Sequence, residues 1–372
     1  MFPARIPIVS VPPSGLTNTY SLDFDGTNDY VDCGTGLGTA LGDGYNSGLT
    51  VSLWFKADTT TPDDGLFNFG DFASNGEIFI RINSDEILFK TANSVLSRCD
   101  FTDTASFHHL VCVFDGANDK QYIYLDTVEQ DSDDQTDTLD LDGLKVIIGA
   151  YSSASFTFNG IIDEVAIWNT ALSAGSISNI YNNGVPTDLL ADSNSANLQG
   201  WWRMGDGTLD SFNLIADQVN PTLGSDLASS LDWNNNGSDP YETLTTSGNS
   251  VTEADNTSGW GIASTDTFSL TTGIVYKLVF DFTLNSGAVP NKVLIAVNSD
   301  LGSLQKFIIT GVENGLQTHY FTVDATRTDY RFGVRENSAT NWSLSALSIK
   351  PVNGNPGLMT NMASEDIVKD TP

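Results

Sequence analysis

Apolar residues along this chain recur mostly with a period of two, in short runs bounded by Gly, Asn and Asp. "TVSLWFKAD", "EIFIRI", "EILFKT", "HHLVCVFDG", "QYIYLD", "KVIIGA" and "IDEVAIW" are rich in Val, Ile, Phe, Tyr and Thr, and helical periodicity is nearly absent. Closely spaced short strands with turn signals between them predict antiparallel sandwiches. In "LTVSLWFKA", Leu49, Val51, Leu53 and Phe55 share one face and Ser52, Trp54 and Lys56 the other, so at least one side packs on a second sheet. "FDGAND" at 114–119 supplies the Asp, Gly and Asn of a tight hairpin.

The texture changes at about 185, where polar, turn-prone sequence surrounds one aromatic island, "GWWRMGDG". A second strand-rich block runs from "TDTFSL" through "IVYKLVFDFTL", "KVLIAV" and "DYRFGVRE" to "WSLSALSIKPV". The pattern therefore divides the chain into an arm (1–19), a first β block (20–184), a connector (185–249), a second β block (250–352) and a tail (353–372). The predicted fold class is all-β, with two antiparallel β-sandwich domains of jelly-roll type and a short connector. A length of 372 residues agrees with two units at about 100–200 residues per domain. The head, "MFPARIPIVSVPPSG", has four prolines and favours extended or polyproline II structure, as a solvated arm or a docking arm.

One stretch breaks the pattern. In "FNGIIDEVAIWNTALSAGSISNIYNNG" (158–184), Asp163 alternates in step with Ile161, Val165 and Ile167, which places a carboxylate on the apolar face. Such a charge is costly unless paired or ligated, so its partner is either a set of hydrogen-bond donors or a hard cation. After this strand, Ser173 is placed to cap a short helix whose Ile177, Ile180 and Tyr181 share a face, and Gly184 to stop it.

Charge narrows the function. With 16 Lys and Arg against 47 Asp and Glu, the net charge of −31 repels nucleic acids and anionic membranes, so neither is expected as a partner. No apolar run approaches the roughly 20 residues that cross a bilayer. Cys33, Cys99 and Cys112 are odd in number and widely spaced, which fits buried thiols in a protein folded in a reducing cytoplasm and leaves a Cys99–Cys112 link as the alternative. Catalytic patterns are missing: there is no "ExDxxE" carboxylate pair, "GxSxG", "HExxH" or phosphate loop, and His108 and His109 lack a third ligand at metal spacing. The segment beginning "DWNNNGSDPYE" matches a calcium loop at Asp232, Asn234, Asn236 and Gly237, but position twelve is Thr243 and Glu242 comes one residue early, so it reads as a turn.

Together, "SLDFDGTNDYVDCG", "LTVSLWFKAD" and the 158–184 stretch resemble the laminin-G-like, concanavalin A-like lectin and glucanase jelly rolls over about 20–184. That resemblance implies a structural Ca²⁺ held by Asp163 with Asp25 of the "FDG" turn. The second block is similar to sandwiches of the carbohydrate-binding-module type. By that likeness Trp260, Tyr320, Tyr330 and Trp342 are the candidate sugar-stacking aromatics, with Arg331, Arg335 and Asn341 as polar partners; the competing role for Trp260 and Trp342 is to close the ends of the sandwich.

Finally, "GWWRMGDG", "IADQ" and the ending "MTNMASEDIVKDTP" resemble accessory proteins of marine bacteriophage virions. This implies a non-enzymatic fibre, spike or decoration on the virion surface. The arm would bind other virion proteins, the outer domain would bind host or environmental glycans, and the assembly would be a homo-oligomer, by association with fibres a trimer. The alternatives are an architectural cement protein that binds no sugar and a glycoside hydrolase. The same resemblance makes the second sandwich an insertion, with the tail returning to "GWWRMGD".

Overall fold

The computed structural model describes residues 16–61, 63–70, 78–92, 95–152, 155–229, 231–235, 243–247, 250–254, 262–290, 292–297, 304–335 and 340–372. The arm before Leu16, Trp260 and most of the calcium-loop-like stretch lie outside the described residues. Among those described, the strands form four sheets stacked in two sandwiches, so the predicted all-β class with antiparallel pairing holds.

In the first body, one sheet runs in the order Val128–Asp134, Lys120–Leu125, His108–Asp115, Leu49–Ala57, Asn159–Trp168, Ser21–Asp25, Ile367–Val368. Leu198–Trp202 also pairs with Asn159–Trp168. The facing sheet runs Leu214–Ile215, Gly357–Thr360, Tyr30–Asp32, Val146–Ile148, Asp64–Phe69, Ile78–Asn83, Glu86–Thr91, Val95–Asp100. Between them the inward residues, among them Phe24, Leu53, Phe55, Phe67, Ile80 and Phe89, form one buried core. All three cysteines are buried free thiols.

The segments 185–249 and 353–372 are not merely connector and tail. Gly357–Thr360 pairs with Tyr30–Asp32 and with Leu214–Ile215, and Ile367–Val368 pairs with Ser21–Asp25. The first body is thus completed from both ends of the chain, and the second sandwich leaves and re-enters it at adjacent rungs. Leu223 bridges Val352, the Gly224 amide donates to Pro351 O at 2.9 Å, and the Asn353 amide donates to Thr222 O at 2.9 Å.

In the second body, Trp233–Asn235, Ile262–Ser264, Arg327–Arg335, Lys292–Val297 and Gln305–Ile309 make one sheet, with Phe268–Leu270 also on Arg327–Arg335. Thr243–Ser247, Ser250–Ala254, Thr340–Pro351, Tyr276–Gly287 and Gly315–Phe321 make the other. Phe280, Phe282, Ile295, Phe332 and Leu344 are among the residues buried between them.

The strand Asn159–Trp168 departs from simple alternation. Glu164 adopts φ +48°, and the register against Leu49–Ala57 slips between Asp163 and Ala166. This β-bulge inserts one residue and reverses the phase: Ile162 and then Val165 and Ile167 face the main core, while Ala166 and Trp168 face a second apolar layer beneath the helix. Asp163 therefore points away from the main core, opposite to what unbroken alternation predicts.

The helix Ala174–Tyr181 covers that outer layer with Ile177 and Ile180. Ser173 Oγ accepts from the Ser176 amide at 3.2 Å, the cap expected from sequence. The helix stops earlier than Gly184, at Asn182, which takes the left-handed conformation (φ +46°).

Candidate functional site

Asp163 and Glu164 anchor a polar knot on the outer side of the bulge. Asn18 Nδ2 donates to Asp163 Oδ2 at 2.8 Å, and the Glu164 amide donates to Asp163 Oδ1 at 2.8 Å. Glu164 accepts from Trp201 Nε1 at 2.6 Å and from Arg203 Nε at 3.0 Å. Arg203 also donates to Thr17 O at 2.7 Å, and Asp206 accepts the Tyr20 amide at 2.8 Å. "GWWRMGDG" is thus a clasp holding residues 17–20 against the bulge. Burial, with the charge of Glu164 next, holds the Asp163 carboxyl well above the usual range; burial lifts Glu164 less, to about 7, because Arg203 and Trp201 stabilise its anion.

The residues present do not fit the calcium site that the resemblance implies. Asp25 pairs with Asn159 and Leu22 with Ile162, so Asp25 and Asp163 lie four rungs apart, about 13 Å along the strands. Such a distance cannot span one ion bound at about 2.3–2.6 Å. Among the described residues no group of three or more His, Cys, Asp or Glu is placed to hold a metal.

The sequence-predicted sugar residues of the second body fall in separate places. Tyr330 and Trp342 are fully buried: Tyr330 Oη donates to Ala325 O at 2.6 Å, and Trp342 stacks on Phe282 with centroids 6.1 Å apart. Neither presents a ring face to solvent, because each falls on the inward phase of its strand. Tyr320 packs at the seam with Leu214, Val275 and Val352 and accepts from Ser211 Oγ at 3.2 Å. Asn341 lies on the same sheet as Tyr320 but at its far end, where Asn285 Nδ2 donates to its Oδ1 at 2.9 Å. Arg331 and Arg335 share the outer face of the facing sheet, four residues apart on one strand.

A more coherent constellation sits on the outer face of the first body's larger sheet. Phe79 and Arg81 alternate with the inward Ile78, Ile80 and Ile82, and Asn68 and Lys90 lie directly across from Phe79 on the two neighbouring strands. The Arg81 guanidinium lies 5.3 Å and Lys90 Nζ 5.4 Å from the Phe79 ring centroid. Tyr151 stands edge-on to Phe79 at 5.0 Å, and Phe156 edge-on to Tyr151 at 5.9 Å. Phe79 and Tyr151 are buried, but Phe156 is 44% exposed and holds φ +52°, a conformation that costs a bulky side chain energy.

Polar capacity in this cluster is left unused. Arg81 pairs with Asp63 at 3.1 Å, yet Arg81 Nε has no hydrogen-bond partner. Asn68 donates to Tyr151 O and to Gly70 O, but its buried Oδ1 accepts nothing. Both of these atoms are buried, so what the surface offers is the exposed Phe156 ring and the part-exposed Arg81 side chain, a pairing that suits a ligand with both apolar and hydroxyl-bearing surfaces. The alternation in "EIFIRI" was the available sequence signal, since it puts an aromatic and an arginine on the face away from the isoleucines. Nothing in "SSASFTF" betrays the left-handed Phe156.

A cleft of about 380 Å³ separates the two bodies, lined by Asp32, Lys145, Thr272, Thr322 and Asn355 among others. Lys145 pairs with Asp32 at 2.6 Å. The lining includes no aromatic side chain, so the cleft offers hydrogen bonds without a stacking surface.

Part of the first body is similar to a known fold family. Residues 25–178 match the concanavalin A-like lectin/glucanases superfamily. No curated protein sequence matches the chain. Among solved structures, a putative carbohydrate binding protein from Bacteroides ovatus aligns at 17% identity and TM-score 0.42, over 54% of this chain and 56% of that one. A SAP-like pentraxin from Limulus polyphemus aligns at 13% and TM-score 0.36, over 45% and 83% of the two chains. The CBM40 of a Ruminococcus gnavus IT-sialidase, solved with α2,3-sialyllactose, aligns at 12% and TM-score 0.38, over 43% and 95%. The lectin/glucanase match lies within the first body, and it ends before the clasp and the returning tail strands that complete that body.

Proposed function

We propose that this chain is a non-enzymatic glycan-binding protein that uses the Phe156 face of its first sandwich, and that it serves as an adhesion or decoration protein on a bacteriophage virion. The observation that carries the binding reading is the exposed Phe156, held in a strained conformation on the Tyr151 and Phe79 rings beside Arg81 Nε and Asn68 Oδ1, both without partners. Phe156 would stack on the apolar face of a sugar ring, and Arg81 would donate to its hydroxyls. Support for a virion role is the resemblance of "GWWRMGDG", "IADQ" and the tail to phage accessory proteins. In that role the segment before residue 16 fixes the protein to the particle.

The test is a glycan array probed with the full chain and with Phe156→Ala and Arg81→Gln. The parent is expected to bind a subset of glycans and each variant to bind them about tenfold more weakly, the loss expected from about 1.4 kcal/mol. Uniform silence of the parent would remove the binding reading and leave the architectural one.

A further inference from the structure

In so acidic a protein most cations find a carboxylate. Lys56, Arg81, Arg98, Lys120, Lys145, Arg203, Lys306 and Arg327 each sit within 4 Å of one. Among the described residues Lys277, Lys292, Arg331, Arg335, Lys350 and Lys369 have no such pair, and of these Lys292, Arg331 and Arg335 stand together on the outer face of one sheet in the second body. Arg335 lies directly opposite Lys292, Gly333 opposite Leu294, and Arg331 opposite Ala296. Tyr330, Phe332 and Val334 face the core, so the intervening residues of that strand face out.

Like charges directly opposite each other on a sheet are destabilising. A second cationic rung, Lys277 opposite Lys350, is eased by the Tyr320 ring, which lies 5.8 Å from Lys277 Nζ, and the anionic rung of Glu86 opposite Asp100 is eased by Arg98. Among the described residues the Lys292–Arg335 rung has no such relief: Lys292 Nζ donates to the neutral Gln305 Oε1, at 3.0 Å. Arg331 gives one nitrogen to the carbonyls of Ser264 and Thr265 and leaves Nε without a partner. Leu294 and Ala296, buried on the same face, make the surroundings apolar, which strengthens attraction to an incoming anion.

We propose that this face is an anion site, in which Lys292, Arg331 and Arg335 take the carboxylate or sulfate groups of an acidic polysaccharide. The polysaccharide part of the inference rests on the glycan-binding reading above, but the site is separate from the Phe156 face. Arginine pairs supply forked donors to planar or tetrahedral anions, and a polymer that repeats its charge can meet both arginines, whose backbones are about 13 Å apart.

The experiment measures binding of the full chain to a polyuronate, a sulfated galactan and a neutral β-glucan of similar length, each at low and high salt. The parent should bind at least one acidic polymer with affinity that falls as salt rises. The double variant Lys292→Gln/Arg335→Gln should lose about tenfold or more and show a shallower salt dependence, while Phe156→Ala keeps acidic-polymer binding. The polyuronate and galactan arms tell carboxylate from sulfate. Because the double variant removes a like-charge rung, its melting temperature should equal or exceed the parent's, which separates lost binding from lost folding. Failure of the parent to bind either acidic polymer, or equal binding by the double variant, overturns the site. Loss of neutral-glucan binding in Phe156→Ala alone speaks only to the first reading.

Discussion

At the scale of single residues, burial decides which charges this protein tolerates. His109 lies in the outer layer, against the rings of Trp54 at 4.8 Å and Tyr181 at 5.8 Å, which also stack on each other, with Ser52 Oγ 2.7 Å from its Nε2 and its Nδ1 without a partner. Burial drives its pKa down from 6.5 to about 3. The folded state therefore holds neutral imidazole where the unfolded chain already takes up a proton, so stability from this residue is intact above pH 6.5 and is lost as pH falls toward 3. The loss approaches roughly 1.4 kcal/mol per pH unit inside that window. Denaturant melts at pH 7 and pH 5 should show a larger drop for the parent than for His109→Gln; equal drops would mean the ring is not neutral in the fold. His108 differs by one residue and by environment: its ring meets Asp126 at 2.7 Å and Asp103 at 3.2 Å, and the hydrogen bond to Asp126 raises its pKa.

At the scale of elements, the helix Ala174–Tyr181 is short enough that its cap matters. Ser173→Ala should cost about 1 kcal/mol, read as a lower denaturation midpoint with an unchanged m-value. A neutral result would show that Ile177 and Ile180 alone hold the helix. This helix was legible because capping and apolar spacing are local. The strands of both sandwiches were legible for the same reason, as was the odd, buried set of thiols. The bulge at Glu164 was not: period-two reading assumes an unbroken phase, and one left-handed residue turned Asp163 from the core toward Asn18. The candidate site was legible only in "EIFIRI", since Tyr151 and Phe156 reach Phe79 through a hairpin that folds back on the sheet. In the second block, reading Tyr330 and Trp342 as exposed overlooked that each shares a phase with Phe332 or Leu344.

At the scale of the whole molecule, two bodies are threaded unequally. The second sandwich hangs from paired rungs at Gly224–Pro351 and Thr222–Asn353, so replacing residues 225–350 with a two-residue Asn-Gly turn should leave the first body folded, with near-parental far-UV signal per residue and a single cooperative melt. Loss of cooperativity would show that the inserted body supports its host. The first body borrows its last strands, Gly357–Thr360 and Ile367–Val368, from beyond the insertion. During synthesis the ribosome must therefore deliver the chain as far as Val368 before the earlier-made sandwich can close, whereas the later-made one has all its strands by Pro351. The order of maturation is inverted relative to the order of translation, and an exposed, half-built sheet edge must wait for its missing strands in the interval.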